Sequence, residues 1–269
     1  MSDLVTIDVE AGVADVRLNR PDKYNALSGD LVLAIVRASA ELAGRKDVRA
    51  VVLSGNGKGF CAGLDFSSFQ SMAGGPEAPV VSEEANGNRG HASIFQSAGW
   101  GWRELQVPVI AAIHGVAFGG GFQVAMGADI RLARPDARLS VMEIKWGLIP
   151  DMGITQTARG IIRLDVLKEL TFTGRVVEGT EAAELGLVTR VCEDPLSEAL
   201  TLAREIASKS PDAIRAGKKL FARGWESPPE ESFSLEVGLQ RGLIGHPNQV
   251  EAVTANLEKR APSFDDAGA

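Results

Sequence analysis

From Pro108 to Asp129 the chain reads PVIAAIHGVAFGGGFQVAMGAD, and no other stretch limits its folding choices so tightly. The unbroken apolar run Val109 to Ile113 has the length and character of a buried strand. It passes into a glycine-rich bend, Gly115 to Gly121, and then into a short apolar helix predicted over Gln123 to Met126. Three consecutive glycines ahead of a helix leave nothing over the backbone N–H groups of its first turn. Those groups are orphan donors at the positive end of a helix dipole, suited to an oxygen that carries or develops negative charge. Two readings are open: half of an oxyanion hole, or glycines that let helix and strand pack closely.

The flanks extend the strand-and-helix pattern. Leu4 to Glu10 and Gly12 to Asn19 alternate apolar and polar residues around Ala11-Gly12, the signature of a hairpin. Ser28 is placed to cap a helix whose apolar positions Leu31, Ile35, Ala38 and Leu42 follow helical spacing. Val48 to Leu53 reads as a buried strand, followed by the loop SGNGKGF and then CAGLD. Residues 67 to 91 lose periodicity and suggest a mobile, lid-like segment; His91 to Leu105 returns to helix. Beyond Asp129, strands are predicted at Ile130 to Ala133, Arg138 to Val141 and Leu187 to Val191. Glu143 to Gly153 is an irregular loop, and Asp151 is placed to cap a helix over Ile154 to Gly160. Further helices are predicted at Leu164 to Phe172 and Thr180 to Leu185. From Leu196 the pattern is helix only, over 196–208, 211–223, 229–243 and 247–259, which sets an expected boundary near residue 195. The alternation before it implies an α/β fold with a parallel-rich sheet wrapped by helices.

Composition excludes several functions. A formal charge of −7 argues against nucleic acid or anionic lipid as the main partner. No apolar run approaches the roughly 18 residues of a membrane span. The N-terminal MSDLVTIDVE lacks the basic and apolar regions of a secretory signal, and two cysteines, Cys61 and Cys192, give no disulfide framework. Together these point to the cytoplasm. GNGKG lacks the spacing of a P-loop, and the three histidines form no metal-ligand pattern with the cysteines.

SGNGKGFCAGLD and PVIAAIHGVAFGGG, about sixty residues apart, together resemble the crotonase (enoyl-CoA hydratase/isomerase) superfamily. The likeness runs from NRPDKYNAL through EIKWGLIPDMG to ELTFTGRVVEGTEAAELGLVTRV. The resemblance implies a crotonase-like spiral of ββα units over 1–195, and over 196–269 a helical C-terminal region that builds trimers, often paired into hexamers. It implies an acyl-CoA thioester as substrate, with coenzyme A part of that substrate and no separate cofactor or metal. The thioester oxygen would take hydrogen bonds from the backbone N–H groups of Leu64 and Gly120. Lys23, Tyr24, Ala26, Lys58, Ala62, Asp65 and Gln123 would contact the substrate. The C-terminal Lys259 and Phe264 would reach the nucleotide from a neighbouring subunit.

Acids decide the reaction. By the resemblance, hydratases of this family use two glutamates, one after the glycine bend and one about twenty residues on. Here the second is Glu143, but the first position holds Gln123, which exchanges no proton near neutral pH. Asp151, eight residues beyond Glu143, resembles the dienoyl-CoA isomerase branch, which also carries an Asp at the place of Gln123, so two of its three acids are matched. There one carboxylate removes a proton from carbon and the other returns a proton further along the chain. The favoured expectation is therefore a double-bond isomerase, with a hydratase using Glu143 alone, or a non-catalytic acyl-CoA binder, as alternatives. Phe66, Phe69, Trp100, Trp102 and helix 229–243 are candidates for the acyl pocket. Cys61 reads as a small packing residue rather than a nucleophile, and Asp151 as either an acid or only a helix cap.

Overall fold

The computed structural model describes residues 3–65 and 92–268. The segment expected to be lid-like, with Phe66, Phe69 and His91, lies outside the described residues. The predicted hairpin forms from β1 (Val5–Glu10) and β2 (Val13–Leu18), paired antiparallel, with Ala11 and Gly12 at φ +49° and +81° in the turn. Next to β2, in parallel, run β3 (Ala50–Gly55), β4 (Val109–Ile113), β6 (Ile130–Ala133) and β9 (Arg190–Val191), giving a six-stranded sheet in the order β1-β2-β3-β4-β6-β9. A second sheet is built from β5 (Val116–Phe118), β7 (Arg138–Ser140) and β8 (Val177–Glu178).

The apolar strands face two layers, which explains why they read as continuous hydrophobic runs. Val51, Leu53, Val109, Ala111 and Ile113 point into the larger core. Helices α1 (Gly29–Ala43) and α2 (Ile94–Glu104) close it with Leu31, Ile35, Ala98 and Trp102. Ser28 caps α1 by accepting from the Leu31 N–H, as its position predicted, and Ser93 and Gln96 form a capping box on α2. Ala50, Val52, Ile110, Ala112 and Leu132 point the other way, against Ala199, Ala203 and Ala207. Those alanines belong to α7 (Pro195–Ala207), so this helix lies across the boundary expected at 195 and covers one face of the main sheet. The helices that follow, α8 (Pro211–Gly224), α9 (Pro229–Leu243) and α10 (Pro247–Glu258), leave Phe221, Trp225, Phe233, Val237, Val253 and Leu257 exposed.

Two elements differ from expectation for reasons outside their own sequence. β5 lies inside the predicted bend, because it pairs in parallel with β7 on one side and exchanges hydrogen bonds with Cys61 on the other, partners twenty to over fifty residues away. β9 is shorter than predicted, because Leu187 and Val188 turn back to donate to Ala182 O at the end of the helix α6 (Gly179–Glu184). No helix among the described residues is long and apolar enough to cross a membrane.

Candidate active site

Parallel pairing sends the loops after β3 and β4 out of the same edge of the sheet, where ligands of such sheets are held. The β3 loop carries Ala62, Gly63 and Leu64; the β4 loop carries Gly119 and Gly120. The loops touch. A Cβ on Gly63, at φ +84°, would stand 2.6 Å from Phe118 O, and one on Gly121 would stand 2.4 Å from Cys61 O. Gly119 has φ +50° and ψ −121°, a conformation open to glycine, and starts the helix α3 (Gly120–Met126). Helix α3 thus begins three residues before its predicted start, which puts Gly120 in its first turn. Among the described residues, neither the Leu64 nor the Gly120 N–H donates to another group. Both residues line one cavity of about 400 Å³, together with Glu143 and Asp151.

Residues near the N-terminus fasten the Leu64 loop. Asn25, fully buried and at φ +55°, donates through its side chain to Asn56 O, Gly59 O and Phe60 O. Ala62 donates to Tyr24 O, Leu27 donates to Gly63 O and Asp65 donates to Leu27 O. Arg20 bridges Ala26 O and the Asp65 carboxylate. Asp65 is therefore a structural tie, absent from the cavity wall where a substrate contact was expected. Lys23, Tyr24 and Lys58 are exposed on the two loops beside the cavity, outside its lining, and Ala26 lies between Tyr24 and Leu27.

The acids arrive on the segment after β7. Glu143 opens a 3-10 turn, Glu143–Trp146, and its Oε1 would lie 3.3 Å from a Cβ on Gly119. Gln123, with no exposed surface, donates from Nε2 to Glu143 Oε1 at 2.6 Å and accepts the Met152 N–H at 2.8 Å. It is not among the residues that line the cavity, and its side chain contacts the carboxylate instead. Glu143 Oε2 is covered yet has no hydrogen-bond partner among the described residues. Burial raises the Glu143 carboxyl above its usual range, against the lowering effect of hydrogen bonds that include the one from Gln123; the Asp151 charge adds to the rise. Asp151 has surface open to solvent at the mouth, but the protein around it raises its carboxyl as well. Asp151 caps nothing. The helix after it, α4 (Ile154–Thr157), starts at Gly153 with no side-chain cap, which removes the cap reading.

Leu27, Phe95, Phe118, Met142, Trp146, Leu148, Ile149 and Met152 make the rest of the wall apolar. None of these is assigned to the wall by the sequence, although Trp146, Leu148, Ile149 and Met152 all lie in EIKWGLIPDMG. The described aromatic candidates fall elsewhere. Trp102 is core, Trp100 lines other grooves, and helix 229–243 contributes nothing to this cavity. Cys61 is fully buried, donates to Asn25 O, and has its thiol pushed up to about 12 by burial, which fits packing and not nucleophilic attack. Phe264 is tied through its carbonyl to Arg49, at the opposite end of β3 from the cavity.

The matching family model is that of enoyl-CoA hydratase/isomerase, over residues 8–267. A peroxisomal Delta(3,5)-Delta(2,4)-dienoyl-CoA isomerase of Arabidopsis thaliana is 31% identical, over 97% of this chain and 96% of its own. A short-chain-enoyl-CoA hydratase of Clostridium acetobutylicum is 33% identical, over 95% of each. Among solved structures, an enoyl-CoA hydratase of Bacillus anthracis superposes with a TM-score of 0.86 at 30% identity, over 97% of this chain and 98% of its own. Relatives include peroxisomal and mitochondrial proteins, so membership fixes no single compartment. The fold is the α/β crotonase fold with its helical C-terminal region, and the chain belongs to the enoyl-CoA hydratase/isomerase family of acyl-CoA enzymes.

Proposed function

We propose that the chain is an acyl-CoA double-bond isomerase of the dienoyl type. The observation that carries this reading is that Glu143 and Asp151 line one cavity with Leu64 and Gly120, while the usual acid position beside Glu143 holds a proton-inert amide. The Leu64 and Gly120 N–H groups take the thioester oxygen and stabilise it as it gains charge, an effect worth roughly 2.7–4 kcal/mol per donor in other enzymes. Glu143 stands against Gly119, next to the Gly120 donor, and on this reading faces the carbon beside the thioester carbonyl. Its free Oε2 takes a proton from C2 of a 3,5-dienoyl-CoA, and the electron pair shifts through the conjugated chain. Asp151, whose carboxyl burial raises, returns a proton at C6, leaving the 2,4-diene. Proton exchange with solvent then restores both acids. The apolar wall suits an uncharged hydrocarbon chain.

A hydratase that uses Glu143 alone is the second reading, favoured by the equal similarity to the Clostridium acetobutylicum hydratase. Purified protein offered 2-enoyl-CoA and 3,5-dienoyl-CoA separates the two by absorbance and mass. Formation of the conjugated 2,4-dienoyl thioester without gain of water supports isomerisation. A 3-hydroxyacyl product carrying solvent oxygen, with the diene untouched, refutes it. We also propose that the exposed apolar faces of α8 to α10 assemble copies of the chain into a trimer or a pair of trimers, which sedimentation tests.

A further inference from the structure

We infer that Gln123 is a positioning residue that makes Glu143 a one-oxygen base and fixes the segment carrying Asp151 to the same point. This rests on Glu143 acting as the base, as proposed above. The direction of the amide is not arbitrary. The Met152 N–H is a donor and must meet the amide oxygen, which turns Nε2 to Glu143 Oε1. With Oε1 occupied, Oε2, covered and without a hydrogen-bond partner among the described residues, is the oxygen left for a substrate. Because Gln123 is not an acid, it forms no acidic pair with Glu143, and the carboxyl whose charge bears on Glu143 is that of Asp151.

The same side chain joins three parts of the site. Gln123 sits on α3, whose first turn presents the Gly120 N–H; Glu143 follows β7; Met152 adjoins Asp151. Met152 closes the loop, since a Cβ on Gly120 would lie 2.6 Å from its Sδ. One buried amide thus ties donor, base and acid into a single unit, yet touches no substrate.

The test uses Gln123→Met, which removes both hydrogen bonds at similar volume, and Gln123→Glu, which keeps an acceptor for Met152 but sets a second carboxyl against Glu143. The primary readout is the carboxyl 13C titration of Glu143 in the free full-length protein, assigned with Glu143→Gln. It needs no substrate and stands even if the isomerase reading fails. In Gln123→Met the Glu143 titration moves up by about one to two pH units, the equivalent of one lost hydrogen bond to a charged group. In Gln123→Glu it moves further. On a substrate that the wild type turns over, the acid limb of kcat/KM follows the same order and kcat falls about 10- to 100-fold. KM changes little, because Gln123 lies off the cavity wall. A Glu143 titration unchanged in both variants overturns the inference. So does a loss confined to KM. Should either variant fail to fold, Gln123→Asn, one methylene shorter, gives the same test, since it cannot span both partners.

Discussion

Gly63→Ala probes the contact that brings the two candidate oxyanion donors together. At φ +84° any side chain meets left-handed strain of about 1–2 kcal/mol. The added Cβ would also stand 2.6 Å from the Phe118 carbonyl oxygen, a backbone atom that cannot rotate away. Overpacking of this kind costs about 1–3 kcal/mol, so the two effects together destabilise the fold by about 2–5 kcal/mol. For a chain of this size that lowers the melting temperature by about 4–20 °C. Part of the strain is relieved if the 61–65 loop backs away from Phe118 and Gly119, which moves the Leu64 N–H off the thioester oxygen. Losing one such donor lowers kcat about 10²- to 10³-fold. Gly245→Ala is the control: φ is +78°, but nothing lies within 4 Å of its Cβ. It should cost about 1–2 kcal/mol and leave kcat alone. Thermal melting and turnover are measured on both variants. If Gly63→Ala melts lower but keeps kcat within about threefold of wild type, the contact does not align the donors and the reasoning fails.

Four further outcomes follow from the site and its supports. Glu143→Gln should lower turnover by about 10²- to 10⁴-fold. It should also raise stability near neutral pH, because a carboxyl raised on folding costs stability as pH rises through its folded titration. That gain vanishes below the ordinary carboxylate range, and a melting difference that grows on acidification would contradict it. Asp151→Asn should lower turnover by about two to four orders of magnitude with little change in substrate affinity by calorimetry; near wild-type turnover would remove it from the chemistry. Lys218 donates to Val107 O and Asp129, with its side chain 7% exposed, while Asp129 is partly exposed and also accepts the Val109 N–H, so Lys218→Ala should destabilise by about 1–3 kcal/mol in chemical denaturation. In the native state a thiol reagent should label Cys192 and spare Cys61 until the protein unfolds, as mass spectrometry of the labelled peptides will report.

Much of this fold could be read in advance because its signals are local. The hairpin at Ala11-Gly12, the Ser28 cap and the apolar run of β4 each lie within a few residues of the structure they specify. β5 and β9 could not be read that way, since one is paired by β7 and Cys61 and the other is cut short by Ala182. The same division holds in the site. Leu64, Gly120, Glu143 and Asp151 sit in motifs and share the cavity. Gln123 was visible as a departure from the pattern, but its partners were not, because a side chain's hydrogen bonds depend on a segment twenty or more residues on. Asp65 looked like a ligand group and proved to be half of an ion pair with Arg20, a pairing set by loop closure across forty-five positions.

The cavity takes its wall from Leu27, Leu64, Phe95, Gly120, Glu143 and Met152, so no single fragment of the chain holds it. During synthesis the first strands and α1 can gather early, but the pocket has no floor until the segment around Met152 has left the ribosome. Contacts this distant in sequence form slowly. The Leu64 loop leans on Val116 and Phe118 as well as on Asn25, and a chain that stops short of Met152 lacks part of the wall that the thioester would need.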